Sequence, residues 1–455
     1  MIKVNSNPKI IIHNYDKSKI KYVFSPFFNK DYPSGQNLLA YSFQRSINNF
    51  SSAWNLSYKD SGIKETKDQV LSFDLIEPLD VIEIKEFDKT VYIGVITDIS
   101  FSAKSNGAKI VNLSGKGIEF LFEYLTLSLD VTAMSFLGEA FQTEWQNINV
   151  KLTVNEKEAV EVKYAFSELF KCFSESVDQH KKLSNSQILT MIKTWYGNDY
   201  LEIDDNLKFE YPISSNLFTN STINFIGYIK NLLPETVYEM FSIIKDEKPK
   251  LVVRKKPFSY ENWKELTTNE IYSSNLTDYL LSKSINEVYT AFYSYVEGSI
   301  KSAEYYQRLY STEGGNGSLI NDKKLSKYGY KPLIANFIGF NTAVEEKAKN
   351  SIEIKFATLN GMIKEWYENL DEMFNLTLTI IKLGEEGIIG DKVKFLNGEF
   401  YLFGVDHQWQ YGDSVRLTYH CERGGDYSSG SFKPLKNVTK RMLEIKDYSM
   451  DENII

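Results

Sequence analysis

Between Gly390 and Gly424 apolar residues recur at every second position, in Val393 and Phe395, in Phe400 and Leu402, and again in Val415, Leu417 and Tyr419. A period of two belongs to half-buried strands rather than helices, so three short strands are predicted. Asn397-Gly398 supplies the residue types of a two-residue hairpin turn, and Tyr411 to Ser414 supplies a looser one. The stretch reads as a β-meander.

The same pattern occurs earlier, from Leu79 to Gly117. Asp80-Val81-Ile82 can be laid on Asp391-Lys392-Val393, and Tyr92-Ile93-Gly94-Val95 on Leu402-Phe403-Gly404-Val405. The last strands close on Gly117 and Gly424. Glycine inside a strand weakens it unless the backbone bends there or another group lies close. Matching Gly94 with Gly404 therefore predicts one small closed barrel made twice.

The remaining periodicities fill in the chain. Ile10 to Ile12 and Lys21 to Phe24 suggest edge strands, and Leu39–Phe43 and Trp54–Tyr58 alternate as strands on either side of Ser46 to Ser52. From Ile118 the period becomes helical, with helices expected over Ala165–Phe173, Ser186–Tyr196 and Phe225–Leu233, the last stopping before Pro234. A strand over Val150–Val154 and a hairpin of Val237–Ile244 with Leu251–Phe258 complete an α+β region. Strand character returns at Glu287–Val296. A helix from about Ala343 carries Leu359, Met362, Ile363, Trp366, Tyr367 and Leu370 on one face, and Phe374, Leu376, Leu378 and Ile380 alternate into the second meander.

The expected fold is mainly β with α+β insertions. Two similar small antiparallel β-barrels occupy residues 1–127 and, discontinuously, 271–300 with 366–427; a middle α+β domain spans 128–270, an α+β insertion 301–365 and a tail 428–455. A chain of 455 residues suits roughly three or four domains. The tail has no core of its own, and a partner is expected to pin it.

Composition narrows the function classes. The net charge of -8 argues against a surface that coats nucleic acid, which needs a basic footprint. Two cysteines, Cys172 and Cys421, exclude a disulfide framework, and the start at Met1 has no secretory h-region, which points to a reducing compartment of synthesis. Apolar runs such as Leu333 to Phe340 fall far short of the roughly 20 residues of a membrane helix, so no membrane span is expected. The 30 Tyr and 29 Phe suit pleated cores, with sugar-binding platforms as the other reading.

Catalytic chemistry finds no candidate. Asp406, His407, His420 and Cys421 are the nearest approach to a metal site, but on a strand His420 and Cys421 point to opposite faces, whereas zinc needs three or four convergent ligands. His407 and Trp409 share a face, with His407 expected to hydrogen-bond near a barrel rim. Gly314 to Gly317 lacks the Lys-Ser/Thr of a phosphate loop, Glu385-Glu386 reads as a solvated turn, and no GxSxG or HExxH motif occurs. No cofactor and no enzymatic activity are expected.

The motifs, taken in order, resemble those of the tail-hub (baseplate hub) proteins of tailed phages and contractile injection particles, R-type bacteriocins included. They run from Ser46-Ile47-Asn48 and Trp54-Asn55-Leu56 through Asp80 to Gly117, to Pro249–Arg254 with Pro257-Phe258. They continue with Glu287-Val288-Tyr289, Lys327-Tyr328-Gly329, and Gly390-Asp391 through Gly404, His407 and Trp409 to Arg423-Gly424. The resemblance covers about residues 40 to 425. It marks Asp80, Gly94, Gly117, Pro257, Gly329, Asp391, Gly404, His407, Trp409, Arg423 and Gly424 as structural positions. It implies a homotrimer whose two barrels per chain make a pseudo-sixfold ring, joining a hexameric tail tube or tube-initiator protein to a trimeric central spike, with baseplate wedge proteins as further partners. The implied location is a virion or particle baseplate assembled in the bacterial cytoplasm, with no stable nucleic-acid binding. The alternatives are a carbohydrate-binding or hydrolytic tail-associated module and, further off, a secreted toxin fragment.

Overall fold

The computed structural model describes residues 8–25, 37–60, 63–65, 68–70, 72–103, 105, 109–128, 161–167, 170, 186–197, 201–203, 207, 222–257, 259–271, 273–284, 288–295, 319–336, 360–382, 386–436 and 438. The strand expected over Val150–Val154, the glycine tip at Gly314–Gly317, Cys172 and the start of the helix near Ala343 lie outside these residues.

The first part of the chain forms β1 (Lys9–His13), β2 (Ile20–Phe24), β3 (Leu38–Ser46), β4 (Asn49–Lys59), β5 (Val81–Glu86), β6 (Lys89–Ala103) and β7 (Lys109–Gly117). Further on come β8 (Leu201–Ile203), β9 (Tyr238–Lys245), β10 (Lys248–Lys255), β11 (Thr268–Glu270), β12 (Leu276–Ser282), β13 (Ala291–Tyr295) and β14 (Pro332–Asn336). The last group is β15 (Phe374–Ile381), β16 (Lys392–Phe395), β17 (Gly398–Gln410) and β18 (Arg416–Gly425). Helix α1 (Ser186–Tyr196) precedes the second group, and α2 (Phe225–Leu232), α3 (Tyr260–Glu265) and α4 (Asp322–Tyr328) lie within it. Each of the last three starts at a side-chain cap, Asn224, Ser259 or Asn321, which takes a backbone N–H that the helix leaves unpaired.

The protein is mostly β, and its centre is one large curled sheet of 13 strands in the order β12-β15-β18-β17-β3-β4-β7-β6-β5-β1-β2, with β16 also pairing with β17 and β11 pairing with β16. All of its pairs are antiparallel except β11 with β16. Both meanders are present, β5-β6-β7 and β16-β17-β18, and they belong to this same sheet. The two halves of the sheet are joined where β17 of the second meander pairs with β3, from Gly404 opposite Ser46 to Gln410 opposite Ala40.

Strand register carries a duplication deeper than the motifs. In the ladder of β3 on β4, Leu39 is skipped between Leu38 and Ala40; in β12 on β15, Thr277 is skipped between Leu276 and Asp278. In β6 on β7 the ladder skips Thr97, and in β17 on β18 it skips Phe403. Bulges insert one residue and fix the local bend and twist, so matching bulges in both ladders make β12-β15-β18-β17 a second copy of β3-β4-β7-β6. The hairpins attached to the two copies also match at their bases. Leu79 N–H donates to Ile96 O and Ile96 N–H to Asp80 O; Gly390 N–H donates to Leu402 O and Leu402 N–H to Asp391 O.

This register upholds the match of Asp80 with Asp391 and moves the glycines. Ile96 now aligns with Leu402, so Gly94 has no counterpart in Gly404. Gly94 faces Ile82 and Gly117, whereas Gly404 faces His420 and Ser46. The cause is hairpin length: the first turn is Phe87-Asp88 and the second Leu396-Asn397, so β6 runs farther from its turn to its bulge, Lys89 to Thr97, than β17 does, Gly398 to Phe403. All four turn residues have positive φ, the signature of type I′ turns. The second turn is therefore Leu396-Asn397, with Gly398 opening β17, and not Asn397-Gly398.

Two apolar cores follow. One lies against the sheet and draws Ile10, Phe24, Tyr41, Phe43, Trp54 and Ile82 together with Leu376, Val393, Trp409 and Leu417 from the other copy. The other holds α1, α2 and the three-stranded sheet of β8, β10 and β9. The expected helix Ser186–Tyr196 is α1, and α2 ends at Leu232 before Pro234. The hairpin turn expected over Lys245–Lys250 is tighter, at Asp246-Glu247, both with positive φ. Glu287–Val296 contributes β13, but β13 pairs with β14 in a separate small sheet; the strand that completes the second copy is β12. In the tail, Leu435 is buried against Gly398, and Phe432, half-buried, lies against Gly425, so its first residues pack on the chain itself.

Candidate functional site

The joint between the two copies is built by aromatic stacking and a buried set of charges. Tyr41 faces Trp409 with rings stacked at 5.8 Å, and Phe43 faces His407 with rings stacked at 4.0 Å. Their alternation on β3 and β17 sends these side chains to the inner face, where all four are buried.

At the end of this stack Glu86, Glu386 and His407 converge, their ligand atoms within 4.8 Å of one another. Lys382, one residue beyond β15, places Nζ 2.6 Å from Glu86 and 2.8 Å from Glu386. Arg45 reaches Glu386 at 2.7 Å and donates to Val91 O. Tyr41 donates to Glu86 at 2.7 Å, and His407 Nδ1 lies 3.4 Å from the same carboxylate. His407 Nε2 stands 3.0 Å from Glu386 at ion-pair distance but without the angle of a hydrogen bond. Half of the set, Tyr41, Arg45 and Glu86, comes from the first copy; Lys382, Glu386 and His407 come from the second.

Burial pushes the Glu86 carboxyl up, but His407 and Lys382 outweigh it and hold it below the usual range. The Glu386 carboxyl is likewise pushed up by burial and brought well below its usual value by His407, Arg45 and Lys382. Burial lowers the Lys382 ammonium, and the two carboxylates more than restore it. Tyr41 is raised well above its usual value, by burial first and by Glu86 second. Two carboxylates are thus matched by one ammonium and one guanidinium. Glu86, Glu386 and His407 are the described residues that could hold a metal, yet Lys382 already occupies the space between the carboxylates, and a cation there would have to displace it. The arrangement is a lock, with no nucleophile and general base set toward a substrate.

A cleft of about 640 Å³ opens over the cluster, lined by Arg45, Phe87, Lys382, Glu386 and Ile388 among others. The expectation of a solvated Glu386 is therefore corrected: three basic partners surround it and 18% of its side chain remains accessible. His407 is corrected too, lying fully buried at the joint instead of at a rim. Asp406 and His420 form their own pair at 2.9 Å on the other face, and Cys421 is buried, so the four do not converge.

The remaining marked residues serve turns and close approaches. Asp80 takes the Glu77 N–H and an ion pair with Lys21. A Cβ on Gly94 would fall 2.6 Å from Trp54, one on Gly117 would strike Glu119 and Ser52, and one on Gly424 would strike Phe400. Gly329 ends α4 with φ +74. Pro257 is buried just after β10. Arg423 has its guanidinium 3.6 Å from the Trp366 ring centre and donates to Trp366 O.

Sequence reasoning missed Arg45, Glu86 and Lys382, and a second clamp in which Arg254 pairs with Glu239 at 2.6 Å while Tyr401 donates to the same carboxylate. Glu86 carried a faint signal, being a carboxylate at an alternation position that should be apolar.

No family model matches the chain, and no curated protein does. Among solved structures, the fold is similar to those of tail proteins of phages and related particles. A 43 kDa tail protein of prophage MuSo2 from Shewanella oneidensis matches at TM-score 0.47 and 10% identity over 94% of this chain and 100% of that one. A tail protein from Neisseria meningitidis matches at 0.48 and 10%, over 94% and 99%. An Escherichia coli component of the type VI secretion system, described as structurally similar to T4 bacteriophage tail proteins, matches at 0.39 and 8%, over 88% and 77%. Likeness of this degree warrants no role by itself, and the functional reading rests on the duplication and the joint.

Proposed function

We propose that this chain is a structural hub of a tail or injection-particle baseplate, a homotrimer whose two copies per chain form a pseudo-sixfold ring. The ring joins a hexameric tube to a trimeric spike and lines the channel between them. In this reading the first barrel spans about 1–127, the second is assembled from the β12 region and 366–427, and a middle α+β domain spans 128–270.

One observation carries the proposal: four strands with the same order and the same two bulges occur twice in one polypeptide. Three such chains supply six similar units, which is how a threefold assembly can meet a sixfold one. The locked joint supports it, because a ring that transmits load needs its two copies fixed in register. The described tryptophans give the carbohydrate alternative no support: Trp54, Trp195, Trp263, Trp366 and Trp409 are all buried, and a stacking platform needs exposed rings. No helix among the described residues is long and apolar enough to cross a membrane.

Native mass measurement with negative-stain imaging of the purified chain tests this directly. A trimer with a central hole is the expected result; a stable monomer at micromolar concentration would refute it.

A further inference from the structure

Within the chain, each copy has one edge that the other copy uses and one edge left open among the described residues. The inner half of the edge of β6 pairs with β5 as far as Val95, and Ile96 closes on Leu79 and Asp80. From Thr97 to Ala103 the same edge has no backbone partner among the described residues. In the second copy the equivalent stretch of β17, beyond its bulge at Phe403, is the stretch that pairs with β3. The outer edge of β12 is open in the same way, and its equivalent in the first copy is β3 itself.

We infer that β12 of one copy of this chain pairs antiparallel with the free edge of β6 in the next, repeating the β3–β17 joint, and that three such contacts close the ring. This rests on the trimeric reading above and names the surface that makes it. The internal joint sets the register. Tyr41 opposite Trp409 becomes Tyr279 opposite Ala103, and Phe43 opposite His407 becomes Leu281 opposite Phe101. Between them, Leu280 faces Ser102, and Ser282 faces Ser100.

Burial supports the assignment. Tyr41 and Phe43, covered by β17, are 2% exposed, whereas Tyr279 and Leu281 are only partly buried at the margin of the core that Tyr41 and Phe43 complete. Ile99 stops at the same margin, Phe101 remains 39% exposed and Leu280 62%. Phe73 lies against Phe101, rings 5.7 Å apart, but touches the side chain and leaves the strand edge open. Open edges of this length are normally paired or covered, and a joint in which two different edges meet head to tail closes into a ring when the rotation allows.

The test is a full-length double variant, Leu280→Cys with Ser102→Cys, both on the outward face, read on a non-reducing denaturing gel after mild oxidation. The expected product is a covalent trimer, absent from either single variant. Moving one cysteine by two residues, Leu280→Cys with Ser100→Cys, should lose the cross-link, since diagonal neighbours lie about 7–8 Å apart and a disulfide spans Cβ atoms about 3.5–4.5 Å apart. A native trimer that fails to cross-link would overturn this strand pairing and leave the hub reading standing. A monomer would overturn both, and a ladder of open chains would overturn ring closure.

Discussion

Replacing Lys382 by Met is the sharpest probe of the lock. Its ammonium touches two carboxylates, at 2.6 and 2.8 Å, with side-chain exposures of 4% for Lys382 and 0% for Glu86. Removing one partner of a buried ion pair typically costs about 3–5 kcal/mol, because the partner's charge stays desolvated. Here Arg45 still serves Glu386 and Tyr41 still serves Glu86, which places the expected loss toward the lower end, about 3 kcal/mol. Chemical denaturation gives the number directly, provided the slope with denaturant is unchanged. Adding Glu86→Gln to Lys382→Met removes the orphaned charge, so the double variant should be more stable than the single by about 1–2 kcal/mol. A single variant within about 0.5 kcal/mol of the parent, or a double variant that is worse than the single, would refute the account of the cluster as a matched set.

Other outcomes follow from the same geometry. Gly94→Ala should destabilise by about 1–3 kcal/mol through overpacking on Trp54 and Tyr92, whereas Gly404→Ala, whose nearest neighbours are 3.4 Å or more away, should be within about 0.5 kcal/mol of neutral; equal effects in paired melts would restore the equivalence of the two glycines. Glu86 and Glu386 have lowered folded values against an ordinary 4.5, so their contribution is full above about pH 4.5 and falls away as the pH drops below it. Glu83, taken to about 2 with His13 and Thr90 as its partners, adds to the same slope. Urea midpoints between pH 7 and pH 3 should therefore decline with acid, and less steeply in Glu83→Gln. Leu435→Ala should cost about 2 kcal/mol by exposing the site beside Gly398; an unchanged midpoint would mean that the tail's first residues contribute nothing.

Alternation and turn chemistry were enough to place both meanders, α1, α2 and the β9–β10 hairpin, because those signals live within a few residues of each other. The match of Asp80 with Asp391 was legible for the same reason. What the sequence could not yield was register across strands far apart in the chain. Aligning Gly94 with Gly404 assumed hairpins of equal length, and only the paired strands reveal that the first is longer. The role of β12 was hidden because Leu276–Ser282 is an edge strand with a half-exposed pattern, while Glu287–Val296 looked stronger and went to another sheet.

The charge cluster belongs wholly to the tertiary level. Tyr41, Arg45, Glu86, Lys382, Glu386 and His407 are scattered over most of the chain, and each one alone reads as an ordinary polar residue. Local periodicity determined which segments extend and which coil, since that depends on which face of each segment avoids water. Which edge meets which, and hence which charges are forced together away from water, was decided by the pairing of β3 with β17.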